Sequence, residues 1–379
     1  MRVFIVCNAY LKTGGVEAVH QLVEQLTMRN IDTYIFYLEK EYSMNESVPE
    51  IYKKYGAKVV SEFIDAEDSV LIVPESFLGI RNWCTKGQVA IWWLSVDNAS
   101  RMDYQELLNE NIIHFVQSFY AKKYLADTLG IESYYLSDYI SSSITECGDE
   151  HRETSVRNNV CFYNPKKGYE YVKELIARTN NRFEWVPITG MDPEQVARLL
   201  CTGKVYIDFG NHPGKDRIPR EAAYCGCCIL TNKKGSAEFF EDVAIPEKYK
   251  FDEDDNYEKV IDQIEYMIQN YDSVKEEFYP YIEKISREKS VFGDEVEAAI
   301  KILQENIRET SEKAIDVNAV TEYLQMMNQQ LDNLKNINVK LEEFVKAGFS
   351  KQSVDILLRE DNLYKDLLAE VWELLRYLA

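Results

Sequence analysis

Residues 211–231 read NHPGKDRIPREAAYCGCCILT: a turn holding Gly214, Lys215 and Arg217, then a helical stretch, then an apolar run. The residues just before it, VYIDFG (205–210), form a short apolar strand. The unit is therefore strand, basic turn, helix over Ile218–Tyr224, and strand over Cys228–Thr231. Near-continuous apolar strands joined through helices indicate a parallel sheet covered on both faces. In such sheets ligands bind beyond the carboxyl ends of the strands, where this turn lies.

The same unit recurs on either side. Val160–Tyr163 and Phe183–Pro187 read as strands, with helices over Tyr169–Ala177 and Pro193–Leu200. Toward the N-terminus, Val3–Cys7, Tyr34–Leu38, Val70–Val73, Val89–Leu94 and Ile112–Gln117 read as buried strands. Between the first two, Val16, Val19, Leu22, Val23 and Leu26 repeat at helical spacing. Ser141–Asn159 is polar and aperiodic and reads as a linker. The fold class expected is α/β, with two facing Rossmann-like domains over 1–145 and 156–300 and a helical extension over 301–379.

The chain has 379 residues, too many for one ordinary core. Its formal net charge of −21 argues against binding the nucleic-acid backbone, though a local basic pocket for a phosphorylated ligand stays compatible with it. The opening MRVFIVCNAY reads as a strand without the apolar core of a signal peptide, and no apolar run approaches bilayer length. The eight Cys are scattered at no metal-binding spacing and read as reduced core thiols. A cytoplasmic protein is expected, with peripheral contact at the inner face of a membrane open to it if its substrate is lipid-linked.

Three strand-end turns carry the candidate chemistry. Gly14 and Gly15 open the first helix, where free N–H groups favour an anion. They do not form G-x-G-x-x-G, which disfavours a dinucleotide cofactor. Asn164-Pro165-Lys166-Lys167-Gly168 follows the first strand of the second domain; its lysines either clamp a diphosphate or decorate a solvated turn. In the third turn, Lys215 and Arg217 can converge on phosphate oxygens, with His212 flanking them. Glu221 either faces the helix dipole or accepts ribose hydroxyls. Gly235 and Ser236 begin a further helix.

Gly14-Gly15-Val16-Glu17, Lys167-Gly168, Glu221-Ala222-Ala223 with Gly226, and Gly235 to Glu238 occur in an order that resembles the GT-B glycosyltransferases of the family-four type. The resemblance implies a sugar donor activated by a nucleoside diphosphate and held mainly by the second domain. It implies that Gly15 approaches the donor phosphate, that Asn164 and Lys167 stand at the diphosphate clamp, and that Glu221 contacts ribose. Gly235 and Ser236 would add backbone donors. Two positions depart from the pattern: Pro213 stands where the first Glu of E-x7-E belongs, and Asn164 replaces the clamp arginine, with Lys215 and Arg217 available to compensate.

Glu75 and Asp97, at strand ends of the first domain, are the candidate bases toward an acceptor hydroxyl, or else cap loops. His20, His114 and His151 read as structural, and no metal site is expected. The activity expected is metal-independent transfer from a nucleotide sugar to a glycan, lipid-linked or protein acceptor, in surface polysaccharide or glycoprotein assembly. A non-catalytic GT-B subunit that activates a partner transferase is the alternative, and an epimerase of the same fold is a third reading. From Val317 to Val345 a heptad pattern with Asn338 at one core position reads as a coiled coil, a homodimer or partner contact, or a helix packed on the protein's own body.

Overall fold

The computed structural model describes residues 1–99, 105–108, 111–252, 255–313 and 329. The heptad stretch and the amphipathic C-terminal segment lie outside the described residues.

Among the described residues, twelve strands form two sheets: β1 (Arg2–Cys7), β2 (Asp32–Tyr37), β3 (Lys58–Val59), β4 (Ser69–Pro74), β5 (Gln88–Trp93), β6 (Ile112–Val116) and β7 (Tyr134–Tyr135) in one, then β8 (Asn158–Tyr163), β9 (Glu184–Pro187), β10 (Gly203–Asp208), β11 (Cys228–Asn232) and β12 (Lys250–Phe251) in the other. The first sheet has the order β3-β2-β1-β4-β5-β6-β7, and the second β12-β11-β10-β8-β9. Every pairing is parallel. The central strands RVFIVC, SVLIVP and QVAIWW are buried almost throughout, as a sheet covered on both faces requires. Trp92 and Trp93 are core residues, as their strand position implies.

In each sheet the strand order reverses once, between β1 and β4 and between β8 and β10. Loops leaving adjacent strands at such a switch point diverge to opposite faces and open a crevice. The turns 8–13, 164–168 and 209–216 leave β1, β8 and β10, so the sequence motifs stand at both crevices.

Two boundaries differ from the sequence expectation. Ser142–His151, within the expected linker, is a helix; it buries Ile144 and Gly148 and packs on the helices Pro193–Leu200 and Arg217–Tyr224. Its apolar positions are too few to show a period, so the signal was packing and not pattern. The second correction concerns residue 300. The helix Glu288–Lys313 runs through that boundary unbroken. Phe292, Val296, Ala299, Ile300 and Leu303 enter the core of the first domain, beside Leu22, Leu26 and Tyr139. The chain thus crosses between domains twice, at residues 136–141 and again at the start of this helix.

Candidate active site

A cleft of about 680 Å³ lies between the two sheets, at their switch points. The first domain contributes Asn8, Leu11, Thr13, Gly14, Gly15, Glu75, Phe77 and Leu94; the second contributes Asn164, Lys167, Asp208, Pro213, Lys215, Asp216 and Arg217. Of the residues expected from sequence, Gly14, Gly15, Glu75, Asn164, Lys167, Lys215 and Arg217 are therefore brought together.

The basic residues are not equivalent. Arg217 donates to the Glu17 carboxylate, to the Tyr139 carbonyl at 2.9 Å and to Asp138 at 3.4 Å. Lys215 Nζ contacts Glu288 at 3.0 Å and donates to the Asp138 carbonyl at 3.1 Å. Arg220, 1% exposed, bridges Asp138 and Glu288 at 2.9 and 2.8 Å. These three cations thus face three carboxylates from both interdomain crossings and from the first helix. Burial alone would raise the carboxyl of Asp138, yet Arg220, Lys215 and Arg217 outweigh it and hold it down to about 2. Lys215 and Arg217 are a correction: they are not uncompensated phosphate ligands but parts of a buried ion network that joins the domains. Gly14 serves the same network, because a Cβ there would stand 2.9 Å from Arg217 Cδ.

Lys167 is the more available cation. Its side chain is 30% exposed, against 11% for Lys215 and Arg217, and its ammonium contacts Asp216 Oδ1 at 2.6 Å. Asn164, half-buried beside it, accepts from the Lys166 amide at 3.0 Å, while Lys166 itself is exposed and away from the cleft lining.

Glu75 is 2% exposed and accepts from the Leu94 amide at 2.8 Å. Burial pushes its carboxyl up to about 7, against the opposing hydrogen bonds from the Leu94 and Ser95 amides. A cleft carboxyl poised there can take a proton near neutral pH. Asp97 is the correction among the candidate bases: it is exposed, lies away from the cleft lining, and accepts from Tyr120 at 2.9 Å and from Asn211 of the second domain at 3.0 Å. It is an interdomain contact.

Four further expectations are corrected. His212 is fully buried between Asp208 and Asp216 and does not line the cleft. Ser236 is buried; its amide and hydroxyl donate to the carbonyls of His212 and Gly214, leaving neither for a phosphate. Gly235 has φ +54, and a Cβ there would lie 2.1 Å from the His212 carbonyl, so it is a turn glycine in a 3-10 helix. Glu221 is half-buried beside Arg217 and Arg220, outside the cleft lining, and burial raises its carboxyl despite those cations. His20 and His114 are structural, bonded to Val16, Tyr37 and Trp93.

Pro213, where the resemblance called for a glutamate, serves the domain boundary through its backbone. Its carbonyl accepts from the Val96 amide at 3.0 Å, and Gly214 pairs with Ser95 across the domain boundary. A Cβ on Gly214 would sit 1.9 Å from the Leu94 carbonyl, so only glycine permits this approach. Asp208, His212 and Asp216 have the composition of a metal site. The ammonium of Lys167 already faces Asp216, and Asp208 accepts from Tyr206 and from the Gly210 amide, so the set fits an imidazolium better than a divalent ion.

Asp138, Glu288, Asp208 and Asp216 were not singled out from sequence. Asp216 sits within the quoted stretch, but an acidic residue between Lys215 and Arg217 reads first as a local charge partner. Asp138 and Glu288 carry no local signal at all.

No family model and no curated protein matches the chain. Solved structures do. A glycosyltransferase from Rickettsia africae aligns over 81% of this chain and 98% of its own, with a TM-score of 0.57 and 11% identity. HepE from Anabaena, solved with UDP-glucose, covers 79% and 99% at a TM-score of 0.56 and 10% identity. The pneumococcal O-GlcNAc transferase GtfA, solved with UDP and GlcNAc, covers 81% and 99% at 0.56 and 8%. The fold is GT-B, as the order of motifs implied.

Proposed function

We propose that this chain is a glycosyltransferase that moves a sugar from a nucleoside-diphosphate donor to a glycan, lipid-linked or protein acceptor. The observation that carries the reading is one cleft joining both switch points, with Lys167 and Asn164 on the second-domain wall and Glu75 on the first. The fold neighbours solved with UDP or UDP-glucose support the donor class.

In this scheme the diphosphate lies against Lys167, whose positive charge meets the charge growing on the leaving group. Glu75, in its ionised form, accepts the proton of the acceptor hydroxyl. Because the cation is supplied by the protein, no metal is required. Glu75 favours turnover over a purely scaffolding subunit, since a buried carboxyl lining an open cleft is costly without a task.

Cytoplasmic action, in surface polysaccharide or glycoprotein assembly, and self-association through the 317–345 heptads complete the proposal. No helix among the described residues is long and apolar enough to cross a membrane. A thermal-shift screen across UDP-, GDP-, dTDP- and CMP-sugars tests it, followed by donor turnover in the presence of EDTA. One nucleotide class should raise the melting temperature and be consumed; no response to any of them refutes the reading.

A further inference from the structure

Among the described residues, His212 is the one buried histidine in ion-pair contact with carboxylates. Its Nδ1 lies 2.7 Å from Asp216 Oδ2, and its Nε2 lies 3.6 Å from Asp208 Oδ1. The imidazole is fully enclosed, and its contacts with the two carboxylates are ion pairs by distance: neither ring nitrogen, nor Asp216 Oδ2, makes a hydrogen bond of good geometry among the described residues. A neutral imidazole has one donor and one acceptor nitrogen, so one of its nitrogens would aim a lone pair at an anion. An imidazolium instead sets a positive charge between both anions. Asp216 in turn uses its other oxygen for the ammonium of Lys167, which lines the cleft.

We infer that His212, held as an imidazolium between Asp208 and Asp216, is the positioning residue that keeps Lys167 available to a bound diphosphate. The inference rests on the donor reading given above. Counted together, two carboxylates, one imidazolium and one ammonium make a neutral set. Removing the imidazolium proton leaves that set with a net negative charge at the cleft wall, and among the described residues Lys167 is then the one cation paired with the Asp216 carboxylate. Both changes oppose a diphosphate. Other titratable groups near the set are the hydroxyl of Tyr206, which donates to Asp208 at 2.9 Å; Tyr281, whose interaction with Asp216 acts from the helix Tyr279–Ser286; and Arg220, whose Nε donates to the Asp216 carbonyl at 3.1 Å while its terminal nitrogens serve Asp138 and Glu288. The two tyrosines supply no positive charge, and that of Arg220 is already matched by Asp138 and Glu288. Burial by itself would lower the titration of His212, but Asp208 and Asp216 outweigh it and hold it above its ordinary 6.5.

The test uses the full chain. With only four histidines in the sequence, selective imidazole labelling resolves each one by NMR, and loss of one signal in His212→Asn assigns it. His212 should remain doubly protonated at pH 7 in the wild type; a neutral ring at that pH overturns the inference whether or not any variant folds. Affinity for UDP, GDP and ADP is then followed from pH 6 to 9 by calorimetry. The best binder should weaken roughly tenfold as His212 deprotonates, the scale of one charge-assisted contact. His212→Asn and His212→Gln should show that weaker binding at every pH, without the titration. A wild-type profile reproduced in both variants overturns the role of His212 and leaves the donor reading standing. No binding by the wild-type chain at any pH overturns the donor reading, and the inference with it.

Discussion

Arg220 and Asp138, 82 residues apart in sequence and both buried, meet at 2.9 Å where the chain first crosses between the two domains. Arg220 also reaches Glu288 at 2.8 Å, at the second crossing. One guanidinium on a second-domain helix therefore ties down both connections. Asp138→Asn should cost about 3 kcal/mol or more, because removing one partner of a buried pair strands the other charge. Urea unfolding of the variant beside the wild type measures this, and a loss below 1 kcal/mol would show that the network is incidental.

The same carboxylate sets an acid limit. Its folded-state value of about 2 lies below the ordinary 3.8, so the stabilisation is present above pH 4 and fades as pH falls toward 2. Thermal melts of wild type and Asp138→Asn should converge over that window. Parallel curves would assign the acid sensitivity to other groups.

Glu75 has the opposite sign. Its neutral form is favoured in the fold, with a value of about 7 against the ordinary 4.5. The contribution to stability is therefore full below pH 4.5 and lost as pH rises through 7. Glu75→Gln should melt higher than wild type at pH 8 by a margin on the order of 3 kcal/mol, with little difference at pH 4. Transfer should rise with pH through about 7 in the wild type and be lost in the variant, by roughly 100-fold or more. An active variant would remove Glu75 from the chemistry.

Lys167→Met and Lys215→Met should separate binding from architecture. The first should weaken nucleoside-diphosphate binding roughly tenfold with a small change in melting temperature. The second removes a partner of Glu288 and Asp138 and should lower stability by about 2 kcal/mol or more. Calorimetric titration paired with melts on both variants decides the matter; the reverse pattern would exchange their roles.

Gly214→Ala tests the bridge between the domains. The added methyl group meets the Leu94 carbonyl, which is backbone and cannot rotate away. The Ser95–Gly214 pairing should open, and stability should fall by about 2 kcal/mol. A crystal structure of the variant with that pairing intact would contradict this account.

The architecture was legible because a parallel sheet writes itself locally: each strand is a short apolar run, and each turn at a strand end carries glycine and charge. The turns that reach the cleft, Gly14-Gly15 and Asn164 to Lys167, were visible for that reason. The pairing of charges was not. Lys215 and Arg217 look in sequence like a phosphate clamp, and only their meeting with Glu17, Asp138 and Glu288 shows that most of that charge is already matched. Such partners lie up to 200 residues apart, and no spacing rule records them. His212 and Ser236 were misplaced for a related reason: adjacency to a ligand-facing turn does not say which way a side chain turns.

The return of the helix Glu288–Lys313 to the first domain bears on the order in which the protein is made. Phe292, Val296 and Leu303 fill the face beside Leu22 and Leu26, and they leave the ribosome only after the whole second sheet. The first domain therefore spends most of its synthesis with an apolar face uncovered, while the second can complete its own sheet in the interval. Folding at the ribosome should then finish with the part that was begun first. A chain cut before residue 288 should yield a first domain prone to aggregation, however well the second one folds.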